Sequence, residues 1–239
     1  NISNIALIFG VSCIGISLKP KNTPFIQFLP FLISALVLGL CLQDLQISPI
    51  ESVLLLMVFL YFLYVIFKYK SLDNLGNLDN KSLQNNPIVS IFLIAGLLAL
   101  IFGSRYAVIY AENIAILLNI SELVIGLTII AIGTSLPELA ATISALLKKK
   151  TDMVVGNVIG SNILNITLVV PIIGLFSGVQ LETALLERDY LIMIIATIIF
   201  ILFVALYSSK YINLLIIRLM GLLLVSSYFG YLLSLSKLV

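Results

Sequence analysis

Two neighbouring stretches decide the fold of this chain: LVIGLTIIAIGTSLPELAATISALL at residues 123–147 and DMVVGNVIGSNILNITLVV at residues 152–170. Both belong to apolar runs long enough to cross a bilayer, for which a helix needs about 20 residues. Glu138 nevertheless lies close to the middle of the first stretch, next to Pro137, and the second carries three Asn and one Ser between 157 and 165. Ionisable and polar groups at membrane depth are costly, and they indicate a functional site.

The rest of the chain is more uniformly apolar. Of its 239 residues, 61% are hydrophobic and 10% charged, and mean hydropathy is +1.21, whereas a soluble domain is nearer half apolar and a quarter charged. With a net charge of +2 and no His, the composition excludes a soluble enzyme, a disordered tail, a nucleic-acid binder and His-dependent catalysis. Cys13 and Cys41 lie in apolar runs and are interpreted as core residues.

Eight apolar runs predict an all-α integral membrane protein. They cover residues 1–18, 24–43, 48–67, 88–111, 123–147, 152–178, 188–207 and 211–234, and residues 71–86 are predicted to form a loop. When successive connections between spans are assigned to alternate sides of the membrane, nine Lys fall on one side and about three basic residues fall on the other. The lysine-rich side is therefore predicted to be cytoplasmic, with the C-terminus extracytoplasmic, in the cell (inner or plasma) membrane.

Two structural interpretations of these motifs stay open beside the functional one. Residues 135–138, SLPE, fit the S-x-x-E capping box of a helix N-terminus. Gly156 and Gly160 fit the close packing of two helices through small residues. An ordinary cap between two separate helices is disfavoured, because each of the two parts of the 123–147 run is too short to span a bilayer. A broken helix also exposes backbone groups that bind ions.

The polar residues of the two stretches are predicted to lie at one depth. Glu138 is about ten residues from the lysine turn at 148–150, and Ser161 is about nine residues from the start of its span at 152. Their hydroxyl, amide and carboxylate oxygens are the ligands that hard cations such as Ca²⁺ and Na⁺ prefer. The predicted constellation consists of Thr134, Ser135, Glu138, Ser161 and Asn165.

The start of the chain repeats part of the second stretch. Residues 1–7 read NISNIAL and residues 162–168 read NILNITL, and each copy opens a group of three spans. The lysine-based orientation makes the two copies run in opposite directions, which predicts an inverted repeat with a substrate site between the copies. Asn4 then approaches the level of Asn165 from the opposite side of the membrane.

The motifs GTSLPE at 133–138 and GNVIGSNILN at 156–165 resemble the second α-repeat of the cation/calcium exchanger superfamily. The resemblance implies an inverted-repeat antiporter fold with ten transmembrane helices, of which this chain would hold eight, and broken helices at the ion site. Residues 1–67 would be the remainder of the first repeat (three spans, the first one trimmed), 68–87 a cytoplasmic connecting loop, and 88–239 the complete second repeat. Roughly 75 residues of the first repeat, including its acidic motif, would precede Asn1.

The resemblance also implies a secondary active antiporter that exchanges Ca²⁺ for Na⁺ by alternating access, with the lipid bilayer as its surroundings and without a cofactor. Glu138 would be the central carboxylate, and the other oxygen ligands would come from Thr134, Ser135, Ser161, Asn165 and Asn4. Because one carboxylate makes a weak Ca²⁺ site, we expect that this chain does not exchange ions without the missing N-terminal part of the same protein.

Three alternatives to this function stay open. The first is an H⁺/Ca²⁺ antiporter with Glu138 as the proton carrier, and the second is a passive cation channel. The third is an intramembrane hydrolase, which is disfavoured because the Asp residues, Asp189 among them, lie near span ends or in the loop. Tyr228 and Tyr231 are interpreted as packing or interfacial residues.

Overall fold

The computed structural model describes residues 1–15, 28–74, 87–120, 125–177, 180–208 and 213–236. These residues are almost entirely helical, and their β pairing is confined to one isolated bridge between Gln46 and Gln180. The helices are α1 (Ser3–Gly15), α2 (Leu29–Cys41), α3 (Pro49–Asn74), α4 (Pro87–Leu117), α5 (Leu136–Leu147), α6 (Thr151–Leu164, continued by Asn165–Val169 and Val170–Ser177), α7 (Leu185–Tyr190, continued by Leu191–Ser208) and α8 (Leu214–Ser236).

Within the described residues, five helices are long and apolar enough to cross a membrane: Pro49–Lys68, Pro87–Leu117, Thr151–Phe176, Leu185–Leu206 and Leu214–Leu235. The helices α1, α2 and α5 are apolar but shorter. The end of the predicted span 1–18 (residues 16–18) and the start of the predicted span 24–43 (residues 24–27) lie outside the described residues. The all-α membrane architecture predicted from the sequence is therefore confirmed.

The predicted loop at 71–86 is wrong at its start, because α3 continues to Asn74. Lysine and leucine have high helix propensity in water, so a helix does not have to end where its apolar run ends. Hydropathy detects only the part of a helix that is embedded in the membrane. The remainder of the predicted loop, residues 75–86, lies outside the described residues.

The main core joins helices from both ends of the chain. Phe9 of α1 makes edge-to-face contacts with Phe200 and Phe203 of α7, with ring centroids 4.6 Å and 5.7 Å apart, and Phe31 of α2 meets Phe200 at 5.9 Å. Such aromatic pairs contribute about 0.5–1.5 kcal/mol each beyond the area they bury. Val154 and Val158 of α6 are buried in the same cluster, which places α6 beside α1.

Glycine allows α1 and α8 to approach closely. A Cβ atom added at Gly221 of α8 would lie 2.6 Å from the carbonyl oxygen of Gly10 in α1, a distance that real Cβ atoms do not adopt. Small residues at helix crossings let backbones approach in this way, and in lipid the resulting van der Waals contact is a main source of association. The crossing holds the N-terminal helix against the C-terminal one.

Helix α4 lies at the edge of the bundle. All of its residues are described, and Ala115 is its single buried one. Its contacts run to α5 and to the segment Gly126–Gly133 that precedes α5. Large apolar side chains on α4, such as Phe92 and Leu93, are more than 70% exposed. An apolar surface of this kind suits hydrocarbon, where a helix satisfies its backbone groups internally.

Candidate cation site

The predicted helix break is present at Thr134 and Ser135. A π-helical turn at Gly126–Ile130 and one short turn at Ala131–Gly133 lead to the break, and α5 begins at Leu136. Ser135 leaves the helical region, with φ −100° and ψ 4°, and Pro137 stands in the first turn of α5. Proline has no amide hydrogen, so a helix start is the position where it costs least. The sequence Gly-Thr-Ser-Leu-Pro thus explains the interruption locally.

The capping-box interpretation of residues 135–138 is wrong in its hydrogen bonding. Ser135 occupies the N-cap position of α5, but its side chain makes no capping hydrogen bond. A capping box requires the N-cap hydroxyl to accept from the backbone of the third helical residue. The hydroxyl of Ser135 is therefore not engaged in capping the helix that carries Glu138.

Glu138 lies in the first turn of α5 and is half-buried. Its Oε2 atom is shielded from solvent and has no hydrogen-bond partner. An unpaired polar atom inside a protein is costly, and for a carboxylate the cost is larger still. A cation, or a proton on the carboxyl group, would offset that cost. The Oε2 atom of Glu138 is therefore a position at which a positive charge would be stabilised.

Asn157 of α6 fixes the backbone at Glu138. Its Nδ2 group donates to the carbonyl oxygen of Glu138 at 3.0 Å and to Oγ1 of Thr142 at 2.8 Å. Thr142 is one turn beyond Glu138 on the same face of α5. The two bonds join α5 and α6 at the level of the carboxylate. Asn157 was absent from the predicted ligand set, although its position one turn before Ser161 could have indicated it.

The two copies of the repeated sequence contact each other, as an inverted repeat requires. Asn4 donates from Nδ2 to Oγ of Ser161 at 3.2 Å, and Asn165 donates to Oδ1 of Asn1 at 3.2 Å. Asn1 in turn donates to the carbonyl oxygen of Asn162 at 3.3 Å. Both copies also carry a π-helical turn at matching positions, Ser3–Phe9 and Asn165–Val169. Turns of this kind are frequent at functional sites.

The predicted residues divide into two groups. Asn4 and Ser161 are joined by a hydrogen bond where α1 meets α6, and Asn4 is 2% exposed with Oδ1 buried and unpaired. Glu138 lies on α5, which contacts both of these helices. Thr134, Ser135 and Asn165 line a cavity of about 510 Å³ beside that contact. Ser135 directly precedes the first turn of α5, which carries Glu138, so the two groups are adjacent along the chain. The sequence predicted one ligand shell, whereas in the structure three of the six residues line the cavity and the other three do not.

Among the predicted ligands, Glu138 is the one that carries a charge. Within the described ranges, no three residues among His, Cys, Asp and Glu gather as a metal-binding group. The remaining oxygens are neutral hydroxyls, amides and carbonyls. Such a donor set fits a hard cation and offers nothing to a soft metal.

A helical membrane protein with a broken helix and an oxygen-lined cavity between repeated segments has the architecture of a secondary transporter. Residues 88–237 match the model of the family described as sodium/calcium exchanger protein. The match covers well over half of the chain, and the chain belongs to this family.

Relatives and solved structures agree with the family. The putative antiporter CaxA of Alkalimonas amylolytica is 33% identical over 240 residues, which cover 97% of this chain and 74% of that protein. The sodium/calcium exchanger MaX1 of Methanosarcina acetivorans is 45% identical over 113 residues, 47% of this chain and 32% of that protein. The chain spans 65% of the inner membrane protein YrbG of Escherichia coli, at 34% identity.

The fold is that of a solved exchanger. The sodium-calcium exchanger NCX_Mj soaked with 10 mM Na⁺ and zero Ca²⁺ superposes with a TM-score of 0.75 at 30% sequence identity, over 98% of this chain and 73% of that one. The exchanger fold expected from the sequence motifs is confirmed, and so is an integral membrane protein. Both the family model and the solved structures are described as exchangers.

Proposed function

We propose that this chain forms the greater part of a secondary antiporter that exchanges Ca²⁺ for Na⁺, with Glu138 as the central cation ligand. The buried, unpaired Oε2 of Glu138, directly after a helix break, carries the proposal. Thr134, Ser135, Ser161, Asn165 and Asn4 supply neutral oxygens around it. The family membership and the exchanger names of the relatives support the choice of ions.

Competition of Ca²⁺ and Na⁺ for one carboxylate would couple the transport of one ion to the transport of the other. Ca²⁺ and Na⁺ have nearly the same requirement for oxygen ligands, so the same residues bind either ion but not both at once. Contacts between the repeat copies, such as Asn4 with Ser161, lie where one half of the protein would move against the other. Alternating access around this contact would release each ion on the opposite side.

The repeat organisation and the orientation are part of the proposal. Residues 1–67 would belong to the first repeat, 68–87 to the cytoplasmic connection and 88–239 to the second repeat, with the C-terminus extracytoplasmic. Lys149 and Glu182 are exposed in the turns at opposite ends of α6. In variants that carry a single added Cys, Lys149→Cys should react with a membrane-impermeant thiol reagent only from the cytoplasm, and Glu182→Cys only from outside. The reverse pattern would contradict the orientation.

Calcium uptake into vesicles that contain the intact protein tests the transport activity. We expect uptake of radioactive Ca²⁺ that requires an opposing Na⁺ gradient and stops when that gradient is dissipated. Uptake driven by a pH gradient without Na⁺ would instead support the H⁺/Ca²⁺ antiporter with Glu138 as proton carrier. Uptake that ignores both gradients would identify a channel.

Substitution of Glu138 tests the site. Removing one full charge at about 4 Å from a cation costs about 4 kcal/mol per unit of cation charge at an effective dielectric constant near 20. For Ca²⁺ the loss is therefore larger than roughly a thousandfold in affinity. Glu138→Gln should therefore abolish exchange at ordinary Ca²⁺ concentrations, while thermal unfolding stays within a few degrees of the unsubstituted protein. Glu182→Gln removes an exposed carboxylate and serves as the matched control. Normal exchange in Glu138→Gln would refute the assignment.

A further inference from the structure

A second cavity, of about 230 Å³, lies between α2, α6 and α7 and differs in character from the cation cavity. Eight described residues line it, and all of them are Leu, Ile, Val or Gly, so their side chains offer no polar atom. A buried water needs about two to four polar partners, and an engineered apolar cavity of about 150 Å³ stays dry and binds benzene. The chemistry of the lining therefore fits hydrocarbon, and neither water nor an ion.

One end of this apolar cavity is closed by the connections between helices. The connection after α2 and the connection before α7 are joined by the bridge between Gln46 and Gln180, and the amide of Leu181 donates to the carbonyl oxygen of Leu45 at 2.8 Å. Both glutamines are exposed, whereas Ile47, next to Gln46, is 7% exposed and lines the cavity. The bridge therefore separates the cavity from the polar end of the bundle.

Another side of the apolar cavity reaches the outer surface of α6. Ile173 lines the cavity and is 47% exposed, and Ile172 and Phe176 beside it are 48% and 85% exposed. These residues belong to the span Thr151–Phe176. Contiguous exposed apolar side chains on a membrane helix form a surface for lipid. The cavity is therefore continuous with a lipid-facing surface, and what enters it there is hydrocarbon.

Four side chains separate the apolar cavity from the cation cavity. Leu38 and Leu42 line both cavities, and so do Val170 of α6 and Leu185 of α7. Val170 directly follows the π-helical turn Asn165–Val169, which begins at a predicted cation ligand. An occupant of the apolar cavity would thus contact the reverse side of the wall that faces the cation cavity.

We propose that the apolar cavity binds one acyl chain of a bilayer phospholipid, which packs behind the wall of the cation cavity. The chain enters from the lipid-facing surface at Ile173 and reaches Leu42 and Ile47 inside the protein. Because the lining has no polar side chain, the site recognises the chain and leaves the headgroup outside. Apolar atoms in the cavity restore the dispersion contacts that its lining would otherwise lack.

Photolabelling from the acyl chain tests this site. The intact protein would be reconstituted in phosphatidylcholine vesicles with a small fraction of phosphatidylcholine that carries a diazirine on one acyl chain. After irradiation, mass spectrometry of the peptides locates the label. Lipid at the outer surface should label Phe176, whereas Leu42 and Ile47 are 3% and 7% exposed and require a chain inside the cavity. Phe200, which is 0% exposed in the main core, is the buried control.

Two substitutions fill the cavity. Ile173→Phe adds volume at its lipid-facing side, and Ile47→Phe adds volume from its closed end. Ile172→Phe is the matched control, because it adds the same volume at the neighbouring exposed residue, which is not part of the lining. We expect label on Leu42 in the unsubstituted protein and in Ile172→Phe, and the loss of most of it in both filling variants. Label on Phe176 should stay in all four proteins.

Thermal unfolding checks that each variant is folded, since an overpacked core is destabilised. If Ile47→Phe does not fold, Ile173→Phe still decides the outcome. Label on Phe176 without label on Leu42 and Ile47 would overturn the proposal, and it would do so equally if another part of the intact protein fills the cavity. Unchanged label on Leu42 in a folded filling variant, or equal label on Phe200, would also overturn it. The measurement needs no ion gradient, so the acyl-chain site and the antiport function fail separately.

Discussion

The hydrogen bonds of Asn157 give the sharpest test of how α5 is held at the cation site. Its side chain donates to the backbone of Glu138 and to Thr142. Asn157→Leu keeps a side chain of similar volume and removes both bonds, whereas Thr142→Val keeps the shape of Thr142 and removes only the bond to its hydroxyl. The pair of substitutions therefore separates the two contacts.

The expected magnitudes follow from the number of bonds lost. Side-chain hydrogen bonds between membrane helices contribute about 0.6 kcal/mol on average and about 1.7 kcal/mol at most. Thr142→Val should thus lower the free energy of unfolding by about 0.6–1.7 kcal/mol, and Asn157→Leu by about 1–3 kcal/mol. In the double variant, Thr142→Val should add almost nothing, because Asn157→Leu has already removed the partner of Thr142.

Unfolding in mixed micelles of increasing SDS fraction, followed by circular dichroism, would measure these differences. The same variants would be assayed for Ca²⁺ affinity, because residues that orient a ligand commonly change metal affinity about 10- to 100-fold when they are replaced. Asn157→Leu should weaken Ca²⁺ binding within that range, and Thr142→Val should weaken it less. Fully additive costs in the double variant would show that the bond between Asn157 and Thr142 does not form and would refute this account of the site.

Three further predictions concern packing and the repeat contact. Gly221→Val should lower the unfolding temperature by several degrees, because its Cβ would meet the backbone of α1, whereas Gly230→Val on the same helix has open space and should change it little. Gly133→Val should displace α4, because a Cβ atom at this position would overlap a side chain of that helix. Gly126→Val is the control, since a Cβ atom there has no such neighbour. Distances between spin labels on α4 and α5 would measure the displacement. Asn4→Ala should weaken Ca²⁺ binding several-fold with little change in unfolding temperature, and equal affinity would exclude Asn4 from the site.

Much of the site could be predicted because its signals are local. Gly133 and Pro137 inside an apolar run predict the interruption of the helix, and Glu138 beside them is a charged group that is costly in lipid. The seven-residue repeat indicated that Asn4 and Asn165 belong to one region, and hydrogen bonds between the two copies bear this out. The assignment of the six predicted residues as cation ligands stays a prediction.

Other features could not be predicted from local pattern. Nothing in the sequence around Tyr228 distinguishes a tyrosine that faces an interior cavity from one at the membrane surface. The pairing of Tyr231 with Asp189 joins residues 42 positions apart, and a helical periodicity does not specify which neighbouring helix a face will meet. The continuation of α3 to Asn74 was missed because hydropathy indicates whether a segment lies in lipid or in water, and not whether it is helical.

The sequence by itself determined that this is a helical membrane protein, where its helix breaks, which carboxylate lies at the break and which segments are copies of each other. These properties depend on side-chain polarity, on proline geometry and on the length of apolar runs, all of which act within a few turns of chain. The tertiary structure alone decided that Glu138 has an unpaired buried oxygen, that Asn157 holds its backbone, and that Ser3 and Tyr228 meet beside the cavity. Those contacts join helices distant along the chain, and packing in three dimensions selects them.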